Sequence, residues 1–381
     1  MTLTRRSFLK GGVALASAVA LPSTAHAATS HAPKTLREKV GQLFVVSFRG
    51  TSPDPAFLYA LHTHGFGGVV LYGRNYSSPA QLKALVHTLQ SHARFPLLIS
   101  TDQEGGAVVR IHGAAPAFPS EAAYGRSGSA AKVYGDAAST AHALRSLGLS
   151  MNLAPVVDVL SNPRSPIGDR SYGSNPHLAA TLSVAAIRGY QQHGLAATAK
   201  HFIGLGHASI DSHQSLPTVT QTLAQLDAVD MVPFRAAVQA GVSALLVAHV
   251  ALPSIDPVRN RPASLSPAII GGVIRRHLGF RGLIMTDSLA MGALPQGSTS
   301  HAAVQALTAG ADMLLISANH DIPTAVFIDA IDRVVSAVQA GQISQGRLDS
   351  AVARVLALKR STRRQSANPL RPTVVVGPPA P

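Results

Sequence analysis

A carboxylate two residues before a histidine, Asp211-Ser212-His213, closes a loop that starts at Lys200-His201 and passes through Gly204 and Gly206. Such a pair makes a tuned proton donor, because the carboxylate orients the imidazole and stabilises its charged form. Downstream, the apolar run Leu283-Ile284-Met285-Thr286 ends directly on Asp287. A second carboxylate is thereby placed at a strand end, although capping a following helix is the plainer role for an aspartate there. His201, His207 and His213 recur every six residues and raise the competing reading of a metal hydrolase. Loop residues at that interval share no enforced geometry, and no further ligand motif accompanies them.

These residues need elements to hold them. Short apolar runs rich in Val, Ile and Leu occupy 42–48, 67–72, 96–101, 150–154, 196–202, 243–249, 282–287 and 311–317. Little polar alternation interrupts them, as expected of parallel strands covered on both faces. Segments with helical apolar spacing lie between, at 79–93, 130–147, 224–239 and 267–278. Eight strands alternating with helices predict an α/β fold, a (β/α)8 TIM barrel forming one catalytic domain. An open doubly wound sheet is the alternative, but the absence of Gly-x-Gly-x-x-Gly after the first strand argues against a dinucleotide domain. Asp102, Asp158, His201, the Asp211–His213 loop, His249 and Asp287 all follow strands. That is the C-terminal face, where such barrels place their chemistry.

The chain resembles glycoside hydrolase family 3, in its β-N-acetylhexosaminidase branch. The resemblance rests on Lys200-His201-Phe202, Gly204, Gly206, Asp211-Ser212-His213 and Asp287, and runs from about residue 35 to about residue 360. Thr101-Asp102-Gln103-Glu104-Gly105-Gly106, Asn152-Leu153-Ala154-Pro155 with Asp158, and Ile167-Gly168-Asp169-Arg170-Ser171-Tyr172-Gly173 extend it. It implies retaining hydrolysis, with Asp287 as nucleophile and His213, oriented by Asp211, as acid/base. It also implies that Asp102, Arg110, Arg170, Lys200 and His201 surround a non-reducing N-acetylglucosamine; structural ion pairs at the barrel mouth are the plainer alternative. Asp158 could brace a loop, and His249 could line the pocket or sit in the core. No cofactor and no metal are expected. Peptidoglycan (muropeptide) or chitin fragments are the expected substrates, with phosphorolysis at the same site, or a β-glucosidase activity, as alternatives. Four departures mark this chain: Ile203 stands where the family has proline, Leu205 where it has histidine, His207 where it has a small or acidic residue, and Ala107 where it often has arginine.

Composition narrows the partners. The formal charge of +14 favours anionic surroundings such as cell-wall polymers, or serves only solubility and steering. Nucleic acid is not expected, since no dense Lys/Arg run carries interleaved aromatics and tryptophan is absent. The absence of cysteine excludes disulfides, thiolate metal sites and a lipidated N-terminal cysteine. A monomer is the default expectation. Residues 28–360 are read as the barrel and 361–381 as a flexible Pro-rich tail.

Thr4-Arg5-Arg6-Ser7-Phe8-Leu9-Lys10, an apolar stretch from Gly11 to Leu21 and Ala25-His26-Ala27 read as a twin-arginine leader over residues 1–27. Pro22 interrupts the apolar run well short of the ~20 residues that a membrane span needs. The protein is expected to be exported, to an extracellular, periplasmic or cell-wall location, with no membrane span. Replacing Arg5 and Arg6 together by lysine should strand the precursor in the cytoplasm. Fractionation and immunoblotting check this, and undiminished secretion of the double variant would point to the general secretory route.

Overall fold

Each of the eight apolar runs forms a strand; the run 196–202 does so over its full length, and the other seven are trimmed by one to three residues at one or both ends. The computed structural model describes residues 32–295, 298–317 and 322–367; the leader, and the tail beyond 367, lie outside the described residues. The strands are β1 (Phe44–Val46), β2 (Gly68–Leu71), β3 (Leu98–Thr101), β4 (Met151–Asn152), β5 (Ala196–Phe202), β6 (Ala244–Val247), β7 (Leu283–Thr286) and β8 (Leu314–Ile316). All pair in parallel in the order β7-β6-β5-β4-β3-β2-β1-β8. The seam between β7 and β8 is joined by a parallel bridge, Met285 to Met313, and the Thr286 N–H donates to the Met313 carbonyl at 3.0 Å. The result is the (β/α)8 barrel that the alternation implied. Every residue in these strands is buried, which is why they carry no polar face.

Eleven α-helices clothe the sheet among the described residues: α1 (Leu36–Gly41), α2 (Pro55–His64), α3 (Pro79–His92), α4 (Glu121–Ser127), α5 (Ala130–Ser146), α6 (Pro176–Gln192), α7 (Leu223–Ala228), α8 (Met231–Gln239), α9 (Thr299–Ala309), α10 (Thr324–Gln339) and α11 (Gln345–Ala367). A wide π-type helix, Ala268–His277, follows β6. Their starts are written locally. Asp54, Ser78 and Asn175 accept from the first free amides of α2, α3 and α6, each followed by a proline at the first helical position.

Two expectations need correction. The single helix read over 224–239 is two, α7 and α8, broken at Val229–Asp230. Pro233 has no amide to give to residue 229, so α8 must start within the turn before it. The flexible tail expected from 361 does not begin there, because α11 continues to Ala367 and buries Thr362.

Helix α11 is tied to the barrel by charge as well as packing. Asp312, fully buried beside β8, receives Arg347 at 3.2 Å and Arg354 at 3.1 Å from α11, and Arg275 at 2.5 Å. Lys359 on the same helix is 5% exposed and donates to Gln42 Oε1 at 2.7 Å. Burial pushes its amine down from 10.5 to about 7. An unfolded lysine stays charged up to its ordinary value, so the burial penalty is full below about pH 7 and vanishes above about pH 10.5. Stability should therefore rise with pH across that window through this group. Lys359→Met should flatten the rise, as checked by urea denaturation at several pH values.

Candidate active site

The floor of the site is assembled from the ends of β3, β4 and β5. After β3 the chain folds around Gln103, whose side-chain oxygen accepts from the Arg110 and Ile111 amides, both at 3.0 Å. Asn152 on β4 clamps the same residue: its side chain accepts from the Gln103 amide at 2.9 Å and donates to the Gln103 carbonyl at 2.8 Å. Asp102, Glu104 and Arg110 are thereby fixed around one mouth. On β5 the pairing with β6 shifts register between Ala199 and Phe202. Neighbouring residues of a regular strand face opposite ways, and an irregularity re-aims them. Lys200 and His201 accordingly both line the same cavity.

Glu104 holds the floor together. Its side chain is 1% exposed, and it accepts Lys200 Nζ at 2.5 Å and Arg170 Nε and Nη2 at 2.7 and 2.9 Å. Lys200 also reaches Asp102 at 2.7 Å. Burial alone would raise the Glu104 carboxyl, but the Lys200 and Arg170 charges outweigh it and hold it well below the usual carboxylate range. Lys200 is raised in turn: burial opposes its charge, and Asp102 and Glu104 more than restore it. Arg170 also lies 3.4 Å from His201 Nε2. A guanidinium only donates, so that nitrogen accepts and the ring proton sits on Nδ1, 2.8 Å from Asp158.

Asp287 leaves β7 with its amide bonded to Val247 on β6 at 2.9 Å, and the Ser288 amide donates to its Oδ1 at 2.8 Å. Burial opposes its ionisation, but the surrounding imidazoles and the Ser288 amide overcome this and hold its carboxyl below the ordinary value. His249, one of those imidazoles, is itself lowered by burial. The Ser288 amide is the hydrogen bond that directly favours the anion.

His213 stands on the loop after β5 with 59% of its side chain exposed. Asp211 Oδ1 accepts both its ring Nδ1 at 2.8 Å and its backbone amide at 2.9 Å. Nε2 is left as the nitrogen that can exchange a proton with a ligand. The tip of this loop rests on the segment after β7. The Ala293 amide donates to the Ser212 carbonyl at 3.0 Å, and a Cβ added at Gly292 would fall 2.5 Å from the His213 carbonyl. Only glycine admits that approach.

A cavity of about 920 Å³ collects these groups. Asp102, Arg110, Arg170, Lys200, His201, His213 and Asp287 all line it, and Asp211 stands behind His213. Asp158 is buried and braces His201. His249 lies in the core, bonded to Ser264 at 2.6 Å and the Ser288 carbonyl at 2.8 Å, and does not line the cavity. The three histidines spaced by six do not converge: His201 pairs with Asp158, His207 with Asp230 and His213 with Asp211. Sequence reasoning missed Glu104, Tyr72 and Ser317. Tyr72 lines the cavity beneath Arg110 and bonds Ser317 Oγ at 2.7 Å. Their signal was present, since each follows a strand at its C-terminal end.

The family model for the glycosyl hydrolase family 3 N-terminal domain matches residues 35–358. The chain belongs to glycosyl hydrolase family 3. It is 30% identical to beta-hexosaminidase A of Pseudoalteromonas piscicida, over 91% of this chain and 64% of that protein. With a beta-hexosaminidase of Xylella fastidiosa (strain M23) it shares 33% identity, over 80% of this chain and 92% of the relative. The structure of a family 3 beta-N-acetylglucosaminidase from Paenibacillus sp. str. FPU-7 superimposes with a TM-score of 0.84 at 39% identity. That match covers 90% of this chain and 65% of the Paenibacillus one, so the chain spans slightly under two thirds of the Pseudoalteromonas and Paenibacillus relatives.

Breaking the Glu104 hub should be costly to this family 3 barrel. Glu104→Gln leaves Lys200 and Arg170 without their shared anion, and removing one member of a buried ion pair typically costs ~3–5 kcal/mol. The lost stabilisation should be largest above the ordinary glutamate value of 4.5, and should shrink as the pH falls well below it, where Glu104 itself becomes protonated. Denaturation of both proteins across acidic and neutral pH checks the sign.

Proposed function

We propose that this family 3 barrel is a retaining β-N-acetylhexosaminidase that removes non-reducing terminal N-acetylglucosamine. One observation carries the reading: a single cavity joins a carboxylate held in its anionic form, Asp287, to a histidine whose far nitrogen is tied to a carboxylate. The beta-hexosaminidases among the relatives support the choice of sugar.

In this mechanism the Asp287 carboxylate attacks the anomeric carbon while His213 Nε2–H protonates the departing oxygen. Asp211 stabilises the imidazolium and keeps the donating nitrogen turned to the cavity. In the second half, neutral His213 takes a proton from water, which attacks the glycosyl-Asp287 ester and releases the sugar with retention. Asp102, Lys200 and Arg170, locked by Glu104, offer charged hydrogen-bond partners for the sugar hydroxyls, and His201 and Arg110 complete the ring. Fragments of peptidoglycan or chitin are the proposed substrates, met outside the cytoplasm after twin-arginine export. Among the described residues no helix is long and apolar enough to cross a membrane.

The mature protein should release N-acetylglucosamine from chromogenic β-N-acetylglucosaminides far faster than glucose from matching glucosides, and without added phosphate. Asp287→Ala should abolish turnover of every substrate. His213→Ala should cost natural disaccharides on the order of 10²–10⁴ in rate, while activated aryl glycosides still form the intermediate. Azide should then restore turnover by attacking the accumulated glycosyl-enzyme. Equal loss on both substrate types, with no rescue by azide, would remove His213 from the acid/base role.

A further inference from the structure

Behind Glu104, on the side away from the sugar cavity, lies a second and much smaller cavity of about 20 Å³. Glu104, Glu121, Tyr124, Tyr172 and Tyr190 are among its lining residues. Such a space admits about one water molecule. Glu121, the first residue of α4, is 3% exposed, and its Oε2 has no hydrogen-bond partner in the protein. An isolated buried carboxylate of this kind is costly unless it is paired or protonated.

The groups that face Glu121 leave it no counterion. Arg170 and Lys200 are the cations within electrostatic reach, and both are already engaged by Glu104, with Lys200 shared by Asp102. Glu104 itself is an anion and repels a second one. From α6 and the segment after Arg170, Tyr190 and Tyr172 present phenols. From α5, Asp136 adds another carboxylate, which takes the Tyr124 hydroxyl at 2.6 Å. Nor can the helix swing away readily: α4 presses on the Arg170 segment so closely that a Cβ at Gly125 would fall 1.9 Å from the Tyr172 carbonyl.

We propose that Glu121 is a positioning residue beneath the sugar site, held as a neutral carboxylic acid, and that its ionisation on raising the pH loosens the Lys200–Glu104–Arg170 floor. Burial first, and the Glu104 charge second, push its carboxyl well above the usual range, in agreement with this geometry. While Glu121 is neutral, Glu104, joined by Asp102 at Lys200, directs the two cations toward the ligand side. Once its proton passes to solvent, a second anion behind the floor competes for Lys200 and Arg170 and draws them away from the sugar hydroxyls. The proposal rests on reading those two residues as sugar-binding groups.

Two measurements test it, one of them independent of catalysis. In urea denaturation from pH 4 to pH 9, unfolded Glu121 ionises near its ordinary value of 4.5 while the folded protein retains the proton. Stability held by that proton is full below the unfolded value and is lost as pH rises toward the folded one. E121Q, which keeps the neutral shape, should therefore gain stability relative to wild type as pH rises above 4.5, with no such gain at pH 4. In the second measurement, wild-type KM for an aryl N-acetylglucosaminide should rise several-fold at alkaline pH with kcat less affected, and E121Q should remove that rise. A stability difference that is flat with pH, or one favouring wild type as pH rises, would show that Glu121 is not held neutral. Coincident alkaline KM profiles would sever its link to the sugar floor. If neither protein cleaves any N-acetylglucosaminide, the proposed function has failed, and the stability series alone decides whether Glu121 holds its proton.

Discussion

Two cations and two carboxylates taken out of water at one place dictate most of what this barrel can do. Asp102, Glu104, Arg170 and Lys200 come from three different strand ends, yet Lys200 and Glu104 are almost fully withdrawn from solvent. Desolvating any one of them alone would cost several kcal/mol, so the arrangement holds only when every member is in place. That requirement reaches backward into the fold. The Gln103 clamp must fix the loop after β3, Asn152 must brace it from β4, and β5 must break register to turn two consecutive side chains inward. A sugar reaching this floor meets charges that are already oriented, and its binding need not supply the cost of ordering them.

Against this rigid floor, the proposed acid/base pair sits on exposed chain: side-chain exposure is 59% at His213 and 40% at Asp211. The loop that carries them is firm at its base and open at its tip. Ile203, Leu205 and Ala208 are buried in the core, and His207 is tied to Asp230 at 2.9 Å. At Gly206 the backbone lies so near the segment after β4 that a Cβ would fall 1.8 Å from the Val159 carbonyl. The chain's departures from the family pattern acquire a physical sense here. Where the family has proline and histidine, Ile203 and Leu205 add apolar anchorage, and His207 adds a polar clamp to the start of α8.

The barrel was legible because its strands are buried on both faces, so their composition needs no alternation to be read. The residues at their C-terminal ends followed directly, which is how seven of the proposed site residues came to line one cavity. What the chain order concealed was pairing across strands. Glu104 lies two residues from Asp102, yet its role depends on Lys200, almost a hundred positions later, and on Arg170 between them. His249 follows a strand as His201 does, and the sequence left it open between the pocket and the core. Only the contacts with Ser264 and Ser288 turn it inward, and neither contact has a local sequence signature. The break between α7 and α8 was written at Pro233, but the helical apolar spacing continues across it and masks the signal.

Charge balance explains how such a site could suit a neutral sugar inside a strongly basic protein. Asp102, Glu104, Asp287 and Asp329 provide four negative charges at the cavity, and Arg110, Arg170 and Lys200 provide three positive ones. The two signs are nearly balanced there, and recognition of a hydroxylated ring falls largely to the direction of individual hydrogen bonds. In the proposed reaction, positive charge develops at the anomeric carbon as the leaving group departs. Asp287 is placed to answer it, because Asp102 and Glu104 are engaged by Lys200 and Arg170. A preorganised charge that meets the reacting carbon only as its own charge appears stabilises the transition state more than the ground state. The buried pairs of the floor thus have a second effect: by satisfying Asp102 and Glu104 they leave Asp287 as the carboxylate free to answer that charge.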